Sequence, residues 1–211
     1  YIQITNRCNM SCAHCGFSCT ERGQDMTEDT FNRTMAIVSE SGSTDITLGG
    51  GEPTLHPKFE DWLWVAIRNR MQASYDAGLP VVGVVTNGSQ TEIALRLARM
   101  AEMGLVSARL SNDEYHDPIE EAVINAFKRP KSGSFQDHRA TTPRGYIVIP
   151  VGRARNWGNH PYARCFCDEV IVTPNGNIYQ CGCFKKCLGN VNRSVPDNLQ
   201  DLIQESRCAK A

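Results

Sequence analysis

The sequence predicts an α/β fold in which repeated strand–helix units lay down a parallel sheet, and three observations predict it. Apolar strand-like runs alternate with helical patterns through residues 1–152, the pattern of successive βα units joined by right-handed crossovers. Val81–Val85 is a valine run broken only by Gly83, as expected of a strand buried on both faces of a parallel sheet. The glycine-rich and polar segments fall directly after strands, on the side where parallel βα folds assemble their sites. The five units visible in the sequence are too few for a closed eight-stranded barrel.

The first strand is Tyr1–Thr5. The first helix begins at Thr27, an N-cap residue followed by Glu28 and Asp29, whose carboxylates suit the positive end of a helix. Phe31, Met35 and Val38 give that helix one apolar face, and Gly42 stops it. Asp45–Leu48 is the second strand. A second helix opens with Pro57 at its first position and carries Phe59, Trp62, Leu63, Ala66 and Ile67 at helical spacing. After the valine strand, a third helix carries Ile93, Leu97 and Met100 and ends at Gly104; Val106–Leu110 is the fourth strand. Asp117-Pro118-Ile119-Glu120 reads as a capping box opening a fourth helix. Lys131–Gly145 is polar and rich in Gly, Ser, Thr and Pro, so it reads as a long surface loop, and Tyr146–Val151 follows as the fifth strand. Beyond 152 the alternation stops. Val170–Thr173 and Asn177–Gln180 read as a β-hairpin around the turn Pro174-Asn175-Gly176.

A hydrophobic content of 41% over 211 residues is enough for one sizeable core. A net charge of −1 gives no electrostatic pull toward nucleic acid or anionic lipid. No apolar run approaches the roughly 18 residues of a membrane span, so no membrane partner is expected. The chain opens inside a strand and without Met, so the native N-terminus is expected upstream. The ten cysteines are grouped at 8–19 and 165–208 with none between. Disulfide frameworks staple a whole chain, whereas metal sites gather cysteines locally, so the grouping predicts metal clusters and a reducing, cytoplasmic location.

Cys8-Asn9-Met10-Ser11-Cys12-Ala13-His14-Cys15 follows the first strand directly. A loop this tight can set three sulfurs on one face of an iron–sulfur cube and leave one iron without a protein ligand. A structural zinc knuckle is the alternative, with Cys19 or His14 as fourth ligand. Gly49-Gly50-Gly51-Glu52-Pro53 ends the second strand. Consecutive glycines let backbone approach a ligand closely and Pro53 stiffens the exit, although a tight βα turn would use the same residues. Thr86-Asn87-Gly88 ends the third strand and Ser111-Asn112-Asp113 the fourth.

These runs, in this order, resemble the radical S-adenosylmethionine (radical SAM) superfamily, with its CxxxCxxC loop, its GGEP motif and its polar Ser-x-Asp run. His14 stands where an aromatic is common. The resemblance covers roughly residues 1–152. It implies an α/β fold with a partial open (β/α) parallel barrel of five to six strands. It implies a 4Fe–4S cluster on Cys8, Cys12 and Cys15, with S-adenosyl-L-methionine chelated at the open iron. Gly50, Gly51 and Glu52 would then bind the methionine end. Ser111 and Asp113 would contact the ribose hydroxyls or the cofactor carboxylate, with Thr86 and Asn87 in an equivalent place. Gly152-Arg153-Ala154 resembles a run found after the fifth strand in some SPASM-type enzymes, where Arg153 would pair a carboxylate of cofactor or substrate; a surface arginine is the alternative. Tyr115 and His116 lie on the same rim and are candidate catalytic groups for substrate contact or proton transfer, against a solvated or helix-capping role.

The tail resembles the SPASM and twitch extensions of the same enzymes. Cys165 and Cys167 precede the hairpin, and Cys181, Cys183 and Cys187 follow it. Gly176 lies five residues before Cys181, and Leu188-Gly189-Asn190 looks like the LGN run of that family. The resemblance implies a second, auxiliary 4Fe–4S cluster. Its four ligands are drawn from these five cysteines, with Cys165 or Cys167 joining Cys181, Cys183 and Cys187 as the preferred set. One cluster makes the tail twitch-like; a zinc site with four cysteines is the alternative. If the strand continued through them, Cys181 and Cys183 would share a face. Cys19 and Cys208 read as ordinary thiols. The organisation expected is a barrel over 1–152 and a cluster-binding extension over 153–211.

The function these readings imply is reductive cleavage of S-adenosyl-L-methionine to a 5′-deoxyadenosyl radical. That radical would abstract hydrogen from an unactivated carbon, for net oxidation or rearrangement of a small metabolite, with flavodoxin or ferredoxin as reductant. A peptide or protein maturase of the same type is the alternative enzyme. A non-catalytic iron–sulfur or zinc module is the alternative of another class, and Gly49–Pro53 argues against it, because an electron carrier needs no site for a cofactor amino group.

Overall fold

The structure is a computed structural model that describes residues 1–41, 43, 45–113, 115–129, 135–136, 152–156, 170–199 and 201. Four βα units come first. They are β1 (Ile2–Thr5) with α1 (Glu28–Glu40), β2 (Ile46–Gly50) with α2 (Phe59–Ala77), β3 (Val82–Thr86) with α3 (Thr91–Glu102), and β4 (Ser107–Ser111) with α4 (Glu121–Phe127). Then follow β5 (Phe135–Gln136), β6 (Ile171–Val172), β7 (Asn177–Tyr179) and β8 (Cys187–Asn190). Among the described residues, these eight strands form one sheet in the order β5-β4-β3-β2-β1-β6-β7-β8. Every pair from β5 across to β6 is parallel, and β6-β7 and β7-β8 are antiparallel. The expected open parallel sheet with a C-terminal hairpin is therefore present. The hairpin extends the sheet by pairing Ile2 with Val172, on the edge of β1 away from β2.

Alternation along the strands divides the sheet into two unlike faces. Ile2, Ile4, Ile46, Leu48, Val82, Val84, Ala108 and Leu110 are buried in one continuous core with Phe31, Phe59, Leu97 and Phe127 from the helices. Phe31 stacks on Trp62 at 4.2 Å and 4°. The opposite face carries Gln3, Thr5, Thr47, Gly83, Val85, Ser107, Arg109 and Ser111.

Local expectations fare unevenly. Thr27 caps α1 as expected, its side chain accepting from Thr30 N. The helix expected to open at Pro57 starts at Phe59, after a 3₁₀ turn over Pro53–Leu55. The capping box at Asp117–Glu120 does not form: α4 begins at Glu121 and its N-cap, Glu120, is extended with no side-chain cap bond. Extended backbone here carries Ile119 to the cysteine loop, against which its side chain packs. The stretch expected to be loop over 131–145 contains β5, paired in parallel with Leu110 and Ser111. The fifth strand expected over Tyr146–Val151 lies outside the described residues. β7 ends at Tyr179, so Cys181 and Cys183 are not carried on a continuing strand and the shared-face argument does not apply.

Candidate functional site

The cysteine loop is tied to its surroundings at Cys8 and turned back on itself at Cys15. Cys8 N donates to Thr20 O at 2.9 Å, Thr20 N to Asn6 O at 3.3 Å, and Cys15 N to Cys12 O at 3.2 Å. The strand-end loop of β2 then lies directly against it: Gly51 N donates to Thr5 O at 2.8 Å and Glu52 N to Arg7 O at 2.9 Å. Gly50 sits at φ +150°, and a Cβ there would stand 2.0 Å from Thr5 O. Only glycine permits this approach of loop to strand end.

Glu52 is fully buried. Its Oε1 accepts from Thr54 N at 3.1 Å, Thr54 Oγ1 at 2.6 Å and Thr86 Oγ1 at 2.8 Å, while Oε2 accepts from Asn87 N at 2.6 Å. Burial pushes its carboxyl up, against those hydrogen bonds. The carboxylate thus knits the end of β2 to the end of β3, and Oε2 keeps acceptor capacity for a further donor. Asn87 carries the linkage onward. Its Nδ2 lies 3.2 Å from Asn9 Oδ1 and 3.9 Å from Cys8 Sγ.

From β4, Asp113 is 2% exposed. It accepts from Tyr115 N at 2.9 Å and from His116 Nδ1 at 2.7 Å, and His14 Nε2 lies 3.5 Å from its other oxygen. Burial pushes the Asp113 carboxyl up, but the His116 and Tyr115 hydrogen bonds outweigh it and hold the group below its ordinary range. Burial likewise opposes charge on His116, yet hydrogen bonds to Asp113 and Cys12 raise it to about 9. The rings of His14 and Tyr115 lie 4.8 Å apart, and those of His14 and His116 5.2 Å. Asp113 thereby joins the end of β4 to the cysteine loop through both histidines. Ser111 faces the polar side of the sheet.

Arg153 closes the loop from behind. Its Nε donates to Cys12 O at 2.9 Å, its Nη1 to Cys19 O at 2.5 Å, and its backbone N to Cys15 O at 3.0 Å. Gly152, at φ +57°, brings it there, since a Cβ would stand 2.3 Å from Gly16 O. The guanidinium expected to meet a cofactor or substrate carboxylate is here a clamp on loop carbonyls.

The donor set fits an iron–sulfur cluster. Cys8 and Cys12 are buried and Cys15 partly so. Burial pushes the Cys8 thiol up to about 11, against a hydrogen bond from Met10 N, with Glu52, Cys12 and Cys15 adding to the rise. A hydrogen bond with Cys19 is the largest influence bringing Cys15 down to about 5, and the same bond together with burial pushes Cys19 up. Crowded thiols in a dry loop lose their protons outright to a bound metal. Cys19 is 1% exposed and lies within hydrogen-bonding reach of Gln3 Nε2 at 3.8 Å.

In the tail, Cys181 is buried, Cys183 intermediate and Cys187 exposed. Cys165 and Cys167 lie outside the described residues. Phe184, between the tail cysteines, packs on Phe17 of the first loop at 5.6 Å and on Tyr179 at 4.9 Å. The two cysteine-bearing loops are therefore in contact through their aromatic residues.

Sequence reasoning missed the Asn9–Asn87 link, the clamp role of Arg153 and the His14–Asp113–His116 group. The last was discoverable: His116 stands three residues after Asp113, within reach of it in a turn, and His14 sits inside the cysteine motif.

Residues 2–136 match the family model of the Radical SAM superfamily. Among curated relatives, the mitochondrial GTP 3′,8-cyclase of Arabidopsis thaliana is 31% identical over 116 residues, covering 53% of this chain and 27% of that protein. A probable GTP 3′,8-cyclase of Methanocella arvoryzae is 31% identical over 113 residues, covering 53% of this chain and 33% of that one. The chain thus spans about a third or less of the length of these relatives. Among solved structures, native anSMEcpe with bound AdoMet superposes with a TM-score of 0.58 at 14% identity, over 96% of this chain and 82% of that one, a likeness of fold. The matched segment runs from the first strand through β5 and takes in the cysteine loop together with the ends of β2, β3 and β4 that converge on it, so the chain belongs to the radical SAM superfamily of enzymes.

Proposed function

We propose that this protein binds one 4Fe–4S cluster on Cys8, Cys12 and Cys15, binds S-adenosyl-L-methionine beside it, and abstracts hydrogen from an unactivated carbon of a small metabolite. The observation that carries the reading is the convergence of three strand-end loops on the cysteine loop through Glu52, Asn87 and Asp113. When bound, the cluster and cofactor supply reductive cleavage to a 5′-deoxyadenosyl radical, with an electron from flavodoxin or ferredoxin.

The chain's own residues hold and shield that chemistry. Gly50 and Gly51 keep the β2 loop bare for the methionine end, and Glu52 offers the remaining acceptor capacity of Oε2 to its ammonium. Asn87, with Nδ2 near Cys8 Sγ, supports one sulfur, and Thr86 fixes Glu52. Ser111 and Asp113 take the ribose side. His116, held by Asp113 and bonded to Cys12, sets the loop and stands with Tyr115 as the proton-transfer group at the rim. Arg153 holds the loop carbonyls, and its remaining N–H groups serve a carboxylate.

Residues 153–211 form the second functional unit, with an auxiliary cluster on Cys181, Cys183, Cys187 and Cys165 or Cys167. The Phe17–Phe184 contact supports a shared working space for the two cysteine sets. Relatives named as GTP 3′,8-cyclases favour a small-molecule substrate over a peptide. The test is mass spectrometry of anaerobically reconstituted, dithionite-reduced protein with S-adenosyl-L-methionine. Formation of 5′-deoxyadenosine is expected, and its absence from fully iron-loaded protein would sink the reading.

A further inference from the structure

Strands of a parallel sheet covered on both faces read as near-continuous apolar runs. Only one face of this sheet obeys. The other presents Thr47 on β2, Gly83 and Val85 on β3, and Ser107 and Arg109 on β4, and with Tyr1 these line a cavity of about 380 Å³. That volume suits a small-molecule ligand. The wall is mixed, with Thr47, Ser107 and Arg109 beside Ile46, Leu79 and Pro80, and so suits a molecule with one polar end and one apolar part.

Arg109 is the one cation among these lining residues. Among the described residues it has no ion-pair partner. Asp45 is the one carboxylate on the same wall, at the start of β2 and away from the Ser111 end of the cavity. Arg109 shares its face with Ser111, two residues on, and so stands about 6.6–7 Å below it along the strand. A guanidinium exposed in a concavity of low-dielectric walls attracts anions more strongly than one on a convex surface, and its fork matches an oxyanion in bidentate fashion.

We propose that Arg109 is the anion-recognition residue of the substrate cavity, binding a phosphate or carboxylate group of the substrate while its reacting carbon lies higher, toward the end of β4. The hydroxyls of Thr47 and Ser107 supply further hydrogen bonds to the same anion. This rests on the reading that the protein acts on a substrate beside S-adenosyl-L-methionine.

The test is calorimetric titration of the reconstituted full chain with two probes, inorganic pyrophosphate and malonate, without reductant. Saturable binding of one equivalent is expected, weakened tenfold or more in Arg109→Gln, less in Arg109→Lys, and unaltered in Arg33→Gln, which alters an exposed arginine paired with Asp29 on α1. The tighter probe identifies the anion as phosphate or carboxylate. No saturable binding of either probe, or equal binding in wild type and Arg109→Gln, overturns the proposal. 5′-Deoxyadenosine formation is measured in parallel on wild type. Its failure with probe binding intact strikes the functional reading and spares the anion site, and the reverse result strikes the anion site alone.

Discussion

The two cysteine-bearing loops are held to different degrees, although both carry backbone hydrogen bonds of their own. The first is held by protein: backbone bonds at Cys8 and Cys15, Arg153 on two of its carbonyls, Asn87 against a sulfur, and His116 on Cys12. The second follows a three-residue strand, grades from buried Cys181 to exposed Cys187, and rests on Phe184 at φ +53°. A site that must bind a cofactor in fixed geometry has its scaffold made in advance. On the proposed reading, the second loop takes its final order from the auxiliary cluster, although the strands beside it join the main core through Val172, Ile178 and Leu188. The difference predicts that removing metal leaves the first loop folded and loosens the second.

The largest effect that could break this comparison is loss of the clusters themselves. Replacing Cys8, Cys12 and Cys15 together by Ala should remove about four irons and all 5′-deoxyadenosine formation, with the tail resisting protease as before. Replacing Cys181 and Cys187 by Ala should remove about four different irons and open residues 170–199 to protease. Iron analysis and limited proteolysis read both, and equal protease sensitivity in the two variants would erase the contrast.

Next in size is Glu52. Its carboxylate meets four donors in full burial. Glu52→Ala strands those donors, so a loss on the order of 3–5 kcal/mol in apoprotein unfolding is expected, together with at least tenfold weaker S-adenosyl-L-methionine binding. A variant that weakens cofactor binding with an unchanged denaturant midpoint would mean that Glu52 serves the ligand and does not brace the loops.

Arg153→Ala should cost less, about 1.5–3 kcal/mol in all, because Arg153 is only partly buried and water can reach the carbonyls it leaves. Its signature is faster iron release from the first loop to a chelator, while iron in the tail leaves at the wild-type rate. Equal acceleration at both sites would show that the clamp acts on the whole sheet.

The smallest effect sharpens the claim that the first loop is set without metal. His56, on the turn after Glu52, accepts from Lys58 N at Nδ1 and lies 3.1 Å from Met26 O at Nε2. Both bonds suit the neutral ring, and burial lowers its pKa below the ordinary 6.5. The unfolded chain therefore takes a proton that the folded chain refuses. Stability from this group is full above pH 6.5 and falls as pH drops toward the folded-state value, by at most about 1.4 kcal/mol per pH unit. Apoprotein melts between pH 7.5 and 5 should show a shallower acid slope in His56→Gln, and identical slopes would remove His56 from the account.

Legibility in the sequence followed the range of the interaction. β1–β4, the starts of α1 and α2 and the end of α3 were readable to within two residues, because apolar period and helix stops are local, while the end of α2 at Ala77 was not read. The start of α4 was misread, since Ile119 is drawn to a cysteine loop about 100 residues away in sequence. β5, two residues long, and β8 were not called strands because partners in the sheet define them and their own composition does not. Cys8, Cys12 and Cys15 could be named from spacing, and Glu52 and Asp113 through the family resemblance of the motifs that carry them. That Arg153 would spend its guanidinium on Cys12 and Cys19 could not, because carbonyl oxygens leave no mark in a sequence.

The pairing of Ile2 with Val172 has a consequence for assembly. β1, which leads straight into the cysteine loop, is an inner strand only once β6 has docked beside it. As the chain leaves the ribosome, β2 can cover one edge of β1 early, while the other edge waits for the next 170 or so residues, a long closure that slows the final step. The docking of β6 shuts that edge, through Val172 N on Tyr1 O, so β1 is completed by a contact spanning about 170 residues.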